Sequence, residues 1–494
     1  MTTSFITTAI PYVNSQPHLG FAYELVLADI LARHRRRRGR EVRFSTGSDE
    51  NSLKNVQAAA REGIGVRELV ERNAAAFRAL EGLLDLAPDD FVRTSVDPRH
   101  RTAVEWLWRA CASELYRREW RGTYCVGCEA FVDECDEHAA PLEEIVEDNW
   151  FFRLSRWVAP IRDAITSGRI QIVPDTARVE ILAFLDGDVR DLSVSRVASR
   201  ANGWGIPVPG DPGQVIYVWF DALVSYLSGL GLGGDRELLR FWSGERTHVI
   251  GKGITRFHAV YWPAFLLAAG LPLPQRIFVH GYLTVDGNKI SKSGTSLAVD
   301  EVVHRVGSDA LRWYFARSCR TRGDSDVTVD SIATAHDNDL ADGLGNLVQR
   351  CTALLARVAE SRVVAGSREP AELRARAEAL PARVDAALDE FLVDEAVGAI
   401  GELVDAANRT LEVSAPWRVA KTDPAAAAAA LYAPLEAARV AAAELAPFVP
   451  GISRTILDRL GGEAQPGWGG LRAGTVLAGG PPPITRRVQR EPLR

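Results

Sequence analysis

The sequence predicts a doubly wound α/β sheet, interrupted by a small cysteine-bearing insertion and followed by an all-helical segment. Three observations carry this. Near the start, short apolar runs alternate with polar loops and helical patterns, the rhythm of parallel strands joined by crossover helices. Three of the six cysteines crowd into the stretch from Cys125 to Cys135. From about Asp337 to near Gly461 the chain reads as helix after helix, rich in Ala and Leu.

Each element has its reason. "FITTAIPYV", Phe5 to Val13, is apolar and β-branched, which suits a buried parallel strand. After the loop "NSQPHLG", the segment "FAYELVLADILARHRRRR" reads as an amphipathic helix with Leu25, Ala28, Leu31 and Ala32 on one face. Its end, "RHRRRRGR" (Arg33 to Arg40), reads as a solvated helix terminus whose cations offset the macrodipole. "EVRFSTGSDENS", Glu41 to Ser52, is a second strand running into a polar turn, and "LKNVQAAAREG" a second helix. Both polar loops follow the carboxyl ends of strands, where such sheets bind ligands. The α/β pattern resumes at "QVIYVWFDALVSYLSGLG" and "THVIGKGITRFHAVYWPAFLLAAG". Farther on, Asp423 and Pro424 supply an N-cap and first helical position. The tail after Gly462, with "GGPPP" and "TRRVQR", reads as poorly ordered.

Composition narrows the function classes. A chain of 494 residues has room for about three domains, and 47% apolar with 25% charged residues is ordinary for a soluble globular protein. The longest apolar stretch, from His258, is broken by three prolines, short of the roughly 18 residues a membrane span needs. The start "MTTSFITTAI" lacks a basic leader region, so a cytoplasmic location is expected. A net charge of −6 argues against nonspecific coating of nucleic acid but permits a local basic surface. The cysteines are too few for a disulfide framework.

Three constellations could carry chemistry. His18 and Gly20 stand at a helix N-terminus, where free N–H groups and the dipole favour phosphate. Taken alone, His18 reads as a loop histidine without a role. "VDGNKISKSGTS", Val285 to Ser296, sets Lys289 and Lys292 in a small polar loop suited to clamping a polyphosphate. Alone, that is equally a solvated loop. Cys125-x2-Cys128-x6-Cys135-x2-His138 has the paired spacing of a tetrahedral zinc site. Its expected role is structural, stapling a lobe too small for a core of its own; buried cysteines without metal are the alternative.

Together the motifs are specific. A His-x-Gly loop between strand and helix, with Lys-Ile-Ser-Lys-Ser after the α/β half, resembles the class I aminoacyl-tRNA synthetases. The segments "AIPYVNSQPHLG", "YVWFDALVSYL", "GITRFHAVYWPAFLLAAGLPLP", "VHGYLTVDGNKISKS", "SDALRWYFAR" and "GNLVQR" narrow the resemblance to the methionyl-tRNA synthetase family. It runs from about Phe5 to about Gly461.

The resemblance implies a Rossmann-type catalytic domain in two halves, 1–116 and 213–275. Between them would lie a connective insertion with a zinc knuckle, 117–212. A stem-contact region with the lysine loop, 276–336, a helical anticodon-binding domain, 337–461, and the tail 462–494 would follow. It implies ATP-dependent activation of L-methionine to the adenylate and transfer to tRNA(Met) by a monomer. ATP would arrive with Mg²⁺, and one structural Zn²⁺ would sit on Cys125, Cys128, Cys135 and His138. Methionine would be held by Ile10, Tyr12, Trp219, Ala222, Leu223, Tyr226, Ile254 and His258, with Asp49 on its ammonium. An apolar slot with aromatic walls suits a thioether. ATP would meet His18, Gly20, Phe21, Gly251, Gly253, Lys289 and Lys292, of which His18, Lys289 and Lys292 are the catalytic set. Asn346, Arg350 and the stacking Trp417 would read the anticodon.

The chain departs from the family pattern at the nucleotide. Phe21 stands where the family has a second histidine, Gly253 where it has aspartate, and Asn51 where it has histidine. Each lost charge-assisted hydrogen bond costs about 1.5–3 kcal/mol. Two such losses, uncompensated, slow adenylation by roughly two to four orders of magnitude. The alternative is therefore a diverged paralogue with weakened ATP use: a methionine- or tRNA-binding protein, a resistance duplicate or a biosynthetic amino-acid-activating enzyme.

Overall fold

The computed structural model describes residues 3–125, 130–131, 143–285, 287–290, 298–366, 370–462, 465–478 and 483–488. The chain divides into two units, one of residues through Gln16, Arg40–Ala79 and Pro88–Val279, the other of Pro17–Gly39, Leu80–Ala87 and the chain from His280 onward.

The first unit is built on a six-stranded sheet. Its strand order is Asp90–Arg93, Glu41–Ser48, Thr3–Thr8, Glu245–Gly251, Arg276–His280, Gln171–Val173. Thr3–Thr8 pairs in parallel with both neighbours, Ile6 opposite Phe44 on one side and Thr247 on the other. Its residues are buried almost throughout, as expected of a strand covered on both faces. Chain order reverses across this strand, so the crevice at its carboxyl end is the topological switch point where doubly wound sheets bind ligands. Ile10 and Tyr12 follow Thr8, Asp49 follows Ser48, and Gly251 ends its own strand. All four sequence-predicted positions thus leave the sheet at its ligand-binding edge.

Two small sheets complete the unit. Leu115–Cys125 pairs antiparallel with Glu143–Phe152, flanked by Ala130–Phe131 and Leu192–Ser193. Asp211–Ile216 lies between Ser195–Val197 and Pro207–Val208, antiparallel to both. This corrects the expectation that the α/β pattern resumes at Gln214. The run "QVIYV" is short and β-branched, and such runs look alike in parallel and antiparallel sheets. Among the described residues between Arg93 and Glu245, the parallel sheet takes only the short strand Gln171–Val173, which pairs with Arg276–His280.

The second unit is mostly helical. Helices follow one another from Val329–Ala335 to Pro450–Arg459, bearing out the helical reading of this half. Asp423 caps its helix by accepting the Ala426 N–H at 2.9 Å. Helix Leu19–Arg37 differs from its expected amphipathic form, since fifteen of its nineteen residues are buried. A helix covered all round must pair its polar groups internally. Asp29 accepts from Arg33 at 2.7 Å and Arg312 at 2.8 Å, and Glu24 meets His280 at 3.0 Å.

The arginine run is not a solvated terminus. Arg38 reaches Glu444 and Asp385, both at 2.7 Å, and Arg37 lies 3.5 Å from Glu444, whose side chain is 1% exposed. The cations do stand in the last helical turn, but their carboxylate partners lie hundreds of residues away, beyond the reach of local reading.

Parts of the tail are described, 465–478 and 483–488, and these carry specific bonds; its other residues lie outside the described residues. Glu436 accepts the N–H groups of Gly469, Gly470 and Leu471, and Arg439 donates to the carbonyl of Gln465 at 2.7 Å. Farther on, Thr485 meets His336 at 3.0 Å and Arg487 meets Asp342 at 2.6 Å. Buried Glu436, Arg439 and His336 and exposed Asp342, all on distant helices, hold the described stretches 465–478 and 483–488. Among the described residues no helix is long and apolar enough to cross a membrane.

Candidate active site

The residues expected to line an amino-acid pocket lie in the first unit. Trp219, Ala222, Leu223 and Tyr226 fall at helical spacing on Val218–Ser228, which brings them to one face. His258 comes from a π-helical turn, Phe257–Tyr261, a local widening that recurs at functional sites. Its Nδ1 lies 3.0 Å from the carbonyl of Ile254, which can only accept, so Nδ1 carries the hydrogen. Nε2 is then the acceptor, and the Tyr226 hydroxyl donates to it at 2.6 Å. Burial pushes the His258 pKa down from 6.5 to about 4, which keeps the ring neutral and this tautomer in place.

Aromatic rings wall the site. Trp219 stacks on Phe257 with centroids 3.6 Å apart and meets the edges of Tyr12 and His258, each at 6.4 Å. Tyr226 packs on His248 at 4.4 Å. His248 is itself fixed by Thr7, 2.6 Å from its Nδ1, and burial drives its pKa well down. Lys54 places its ammonium 4.9 Å above the Tyr12 ring. Sequence reading did not single out Phe257, His248 or Lys54. Phe257 adjoins His258 inside a quoted segment, whereas His248 lies within a buried strand, where a histidine gives no periodic signal.

Asp49 is buried beside this wall and bridges Tyr12 as an isolated parallel pair. Its N–H donates to the Pro11 carbonyl at 2.8 Å, locking the two post-strand loops together. Close approach here requires Gly47, where a Cβ would stand 2.1 Å from the Val92 carbonyl oxygen and 3.1 Å from the Ile10 side chain. Asn51 has not lost its polar contact. Its amide donates inward to Asp221 at 2.7 Å. Gly251 ends its strand and Gly253 lies exposed in the turn Lys252–Ile254.

The second unit carries the other predicted positions. His18 is the N-cap of helix Leu19–Arg37, with extended backbone and no side-chain cap bond. A Cβ on Gly20 would stand 3.1 Å from the His18 ring, so glycine lets the imidazole lie against the first turn. Phe21 is buried at 8% exposure. His18 bridges Ala298, directly after the lysine loop, and Lys289 pairs with Thr284 in the hairpin leading into that loop. Asp326 ties the hairpin by accepting from the Thr284 hydroxyl at 2.8 Å and the Gly287 N–H at 3.0 Å. The Lys289 side chain and Lys292 lie outside the described residues.

Asn346 and Arg350 are one turn apart on Asn346–Ala359, and Arg350 sits 5.2 Å over the ring of Trp417. Trp417 is 38% exposed and follows Ala415, whose φ of 39° turns the chain between two helices. Cys128, Cys135 and His138, with the Cys125 side chain, also lie outside the described residues.

Comparison with known proteins shows the family. The family model "tRNA synthetases class I (M)" matches residues 4–141 and 137–352. The model "Anticodon binding domain of methionyl tRNA ligase" matches residues 363–478. The chain is 38% identical over 483 residues to a methionine–tRNA ligase of Brucella melitensis, covering 93% of this chain and 92% of that one. It is 36% identical over 520 residues to a chloroplastic/mitochondrial methionine–tRNA ligase of Arabidopsis thaliana, covering 99% and 84%. Among solved structures, Mycobacterium tuberculosis methionyl-tRNA synthetase in complex with methionyl-adenylate superposes with a TM-score of 0.93 at 36% identity, covering 98% of this chain and 99% of that one. By sequence and by fold, over nearly its whole length, the chain belongs to the methionyl-tRNA synthetase family of class I aminoacyl-tRNA synthetases.

Proposed function

We propose that this protein is a cytoplasmic methionine–tRNA ligase. It activates L-methionine with ATP to methionyl-adenylate and passes the methionyl group to the terminal ribose of tRNA(Met). The observation that carries the reading is the Tyr226–His258–Ile254 hydrogen-bond chain, set in the Trp219 wall at the switch point of the sheet. A neutral aromatic wall of this kind accepts an uncharged thioether side chain and penalises charged ones. Asp49 takes the substrate ammonium, and Ile10, Tyr12, Ala222, Leu223 and Ile254 complete the slot.

His18, Lys289 and Lys292 act on the ATP phosphates, with Gly20, Phe21, Gly251 and Gly253 lining the nucleotide and Mg²⁺ arriving on ATP. Positioning the carboxylate against the α-phosphate and stabilising departing pyrophosphate supply the acceleration. Asn346, Arg350 and Trp417 read the anticodon. Cys125, Cys128, Cys135 and His138 hold one structural Zn²⁺; the thiolate-rich donor set and paired spacing support that metal. The division into 1–116, 117–212, 213–275, 276–336, 337–461 and 462–494 remains the proposed domain plan, and the protein acts as a monomer.

The diverged alternative has no observation in its favour. Asn51 bonds Asp221 and Phe21 is buried, which supports a built site at both positions. Methionine-dependent exchange of labelled pyrophosphate into ATP, with other amino acids in parallel, tests the function.

A further inference from the structure

Asp221 is a fully buried carboxylate on the pocket helix, one residue from Ala222 and two from Trp219. Burying such a charge is costly unless its oxygens are bonded, and a helix needing only to pack would carry an apolar residue there. Both oxygens are in use. One accepts from Asn51 at 2.7 Å, and the other pairs with Nε2 of His100, itself fully buried. His100 Nδ1 lies 3.1 Å from the hydroxyl of Ser228, at the far end of the same helix. The helix is therefore held at two points, three residues from its start and at its last residue, by one histidine on helix Pro98–Ala110.

The loop at the other end is equally constrained. Glu50 is fully buried, bonded to Arg93 at 2.6 Å and Ser48 at 2.7 Å. Its backbone N–H donates to Thr94 at 2.8 Å, while its carbonyl accepts from Trp204 at 2.7 Å. Asn51 adds a second bond, to the Thr94 carbonyl at 3.3 Å. Asp49 stands between these clamps and Tyr12.

We propose that Asn51 and Asp221 are positioning residues of the methionine site. The Asn51–Asp221–His100–Ser228 relay fixes the Trp219/Tyr226 face of the pocket helix relative to Asp49. The inference rests on the methionine reading of that pocket. It recasts Asn51, which acts through Asp221 on the amino acid and does not touch the nucleotide. The amide suits the task because it donates without adding charge. An imidazole N–H could do the same, and a carboxylate there would face that of Asp221.

The test compares Asn51→Ala, Asn51→His and Asn51→Asp with the parent protein in pyrophosphate exchange, titrating methionine and ATP separately, with melting temperatures alongside. Removing one hydrogen bond to a charged group predicts a methionine KM about tenfold higher for Asn51→Ala. The ATP KM stays within about twofold, because both amide N–H groups of Asn51 are committed to Asp221 and the Thr94 carbonyl. Asn51→His restores the methionine KM to within about threefold, and Asn51→Asp does not, because the two carboxylates repel. A raised ATP KM with unchanged methionine KM in Asn51→Ala overturns the proposal, as does a lowered melting temperature with both constants unchanged. If Asn51→Ala yields no folded protein, Asn51→Ser takes its place with the same predicted split. A parent protein without methionine-dependent exchange instead overturns the functional reading itself, which keeps the two failures distinct.

Discussion

The Tyr226 hydroxyl donates to Nε2 of His258 across 2.6 Å, and the opposite ring nitrogen is committed to the Ile254 carbonyl. This pair fixes a neutral imidazole in the wall of the proposed methionine site. Tyr226→Phe removes the donor and leaves a buried acceptor unsatisfied, a cost of about 1–3 kcal/mol. Methionine affinity is expected to fall roughly five- to a hundred-fold, read by calorimetry. Unchanged affinity would remove the pair from the binding site.

The same burial sets a pH dependence. His258 titrates at about 4 in the folded protein against 6.5 ordinarily, and His34 is lowered to about 4 as well, both chiefly by burial. His248 is displaced in the same direction. A base whose folded pKa is depressed binds fewer protons folded than unfolded in the interval between the two values. Its contribution is fully present above pH 6.5 and is lost as pH falls toward 4. Urea midpoints are therefore expected to drop across that window, with His34→Gln flattening part of the decline. A midpoint flat from 6.5 to 4 contradicts this.

Much of this was legible in the sequence because it is local. The strand before Ile10, the helical spacing of Trp219 to Tyr226 and the Asp423 cap all follow from patterns a few residues long. What escaped depends on distant partners. The arginine run looked solvated because Glu444 and Asp385 lie more than 300 residues on. The bond from Asn51 to Asp221 is hidden from local reading because its acceptor belongs to a helix 170 positions away. The strand at Asp211–Ile216 was misjudged because short β-branched runs do not announce their pairing.

Glu444 gives a stability test. Its nearly inaccessible carboxylate serves Arg38 at 2.7 Å and Arg37 at 3.5 Å. Glu444→Gln leaves two guanidinium groups short of their counter-charge inside the helical unit. Breaking a buried pair on one side costs roughly 3–5 kcal/mol, which thermal or urea unfolding reads directly. A loss under about 1 kcal/mol would mean that water already screens the pair.

Arg350 and Trp417 form a cation–π pair at 5.2 Å, so they are expected to act jointly on RNA. Arg350→Ala and Trp417→Ala should each weaken tRNA(Met) binding by about 1–3 kcal/mol while leaving methionine binding unchanged. The double variant should lose less than the sum, since each single change already breaks the pair. Strict additivity in filter binding would argue that the two residues bind independently.

Elemental analysis of protein purified without chelator should find one zinc per chain. Cys128→Ser should lower that content and destabilise the insertion, because metal affinity in such sites is folding energy. Metal-free protein with unaltered stability would overturn the knuckle.

The central claim is tested most directly by exchange of labelled pyrophosphate into ATP. The account predicts exchange that depends on methionine, is at least about a hundredfold weaker with leucine or isoleucine, and collapses in Trp219→Ala. Exchange equal or faster with another amino acid, or none with methionine at saturating ATP, would contradict it.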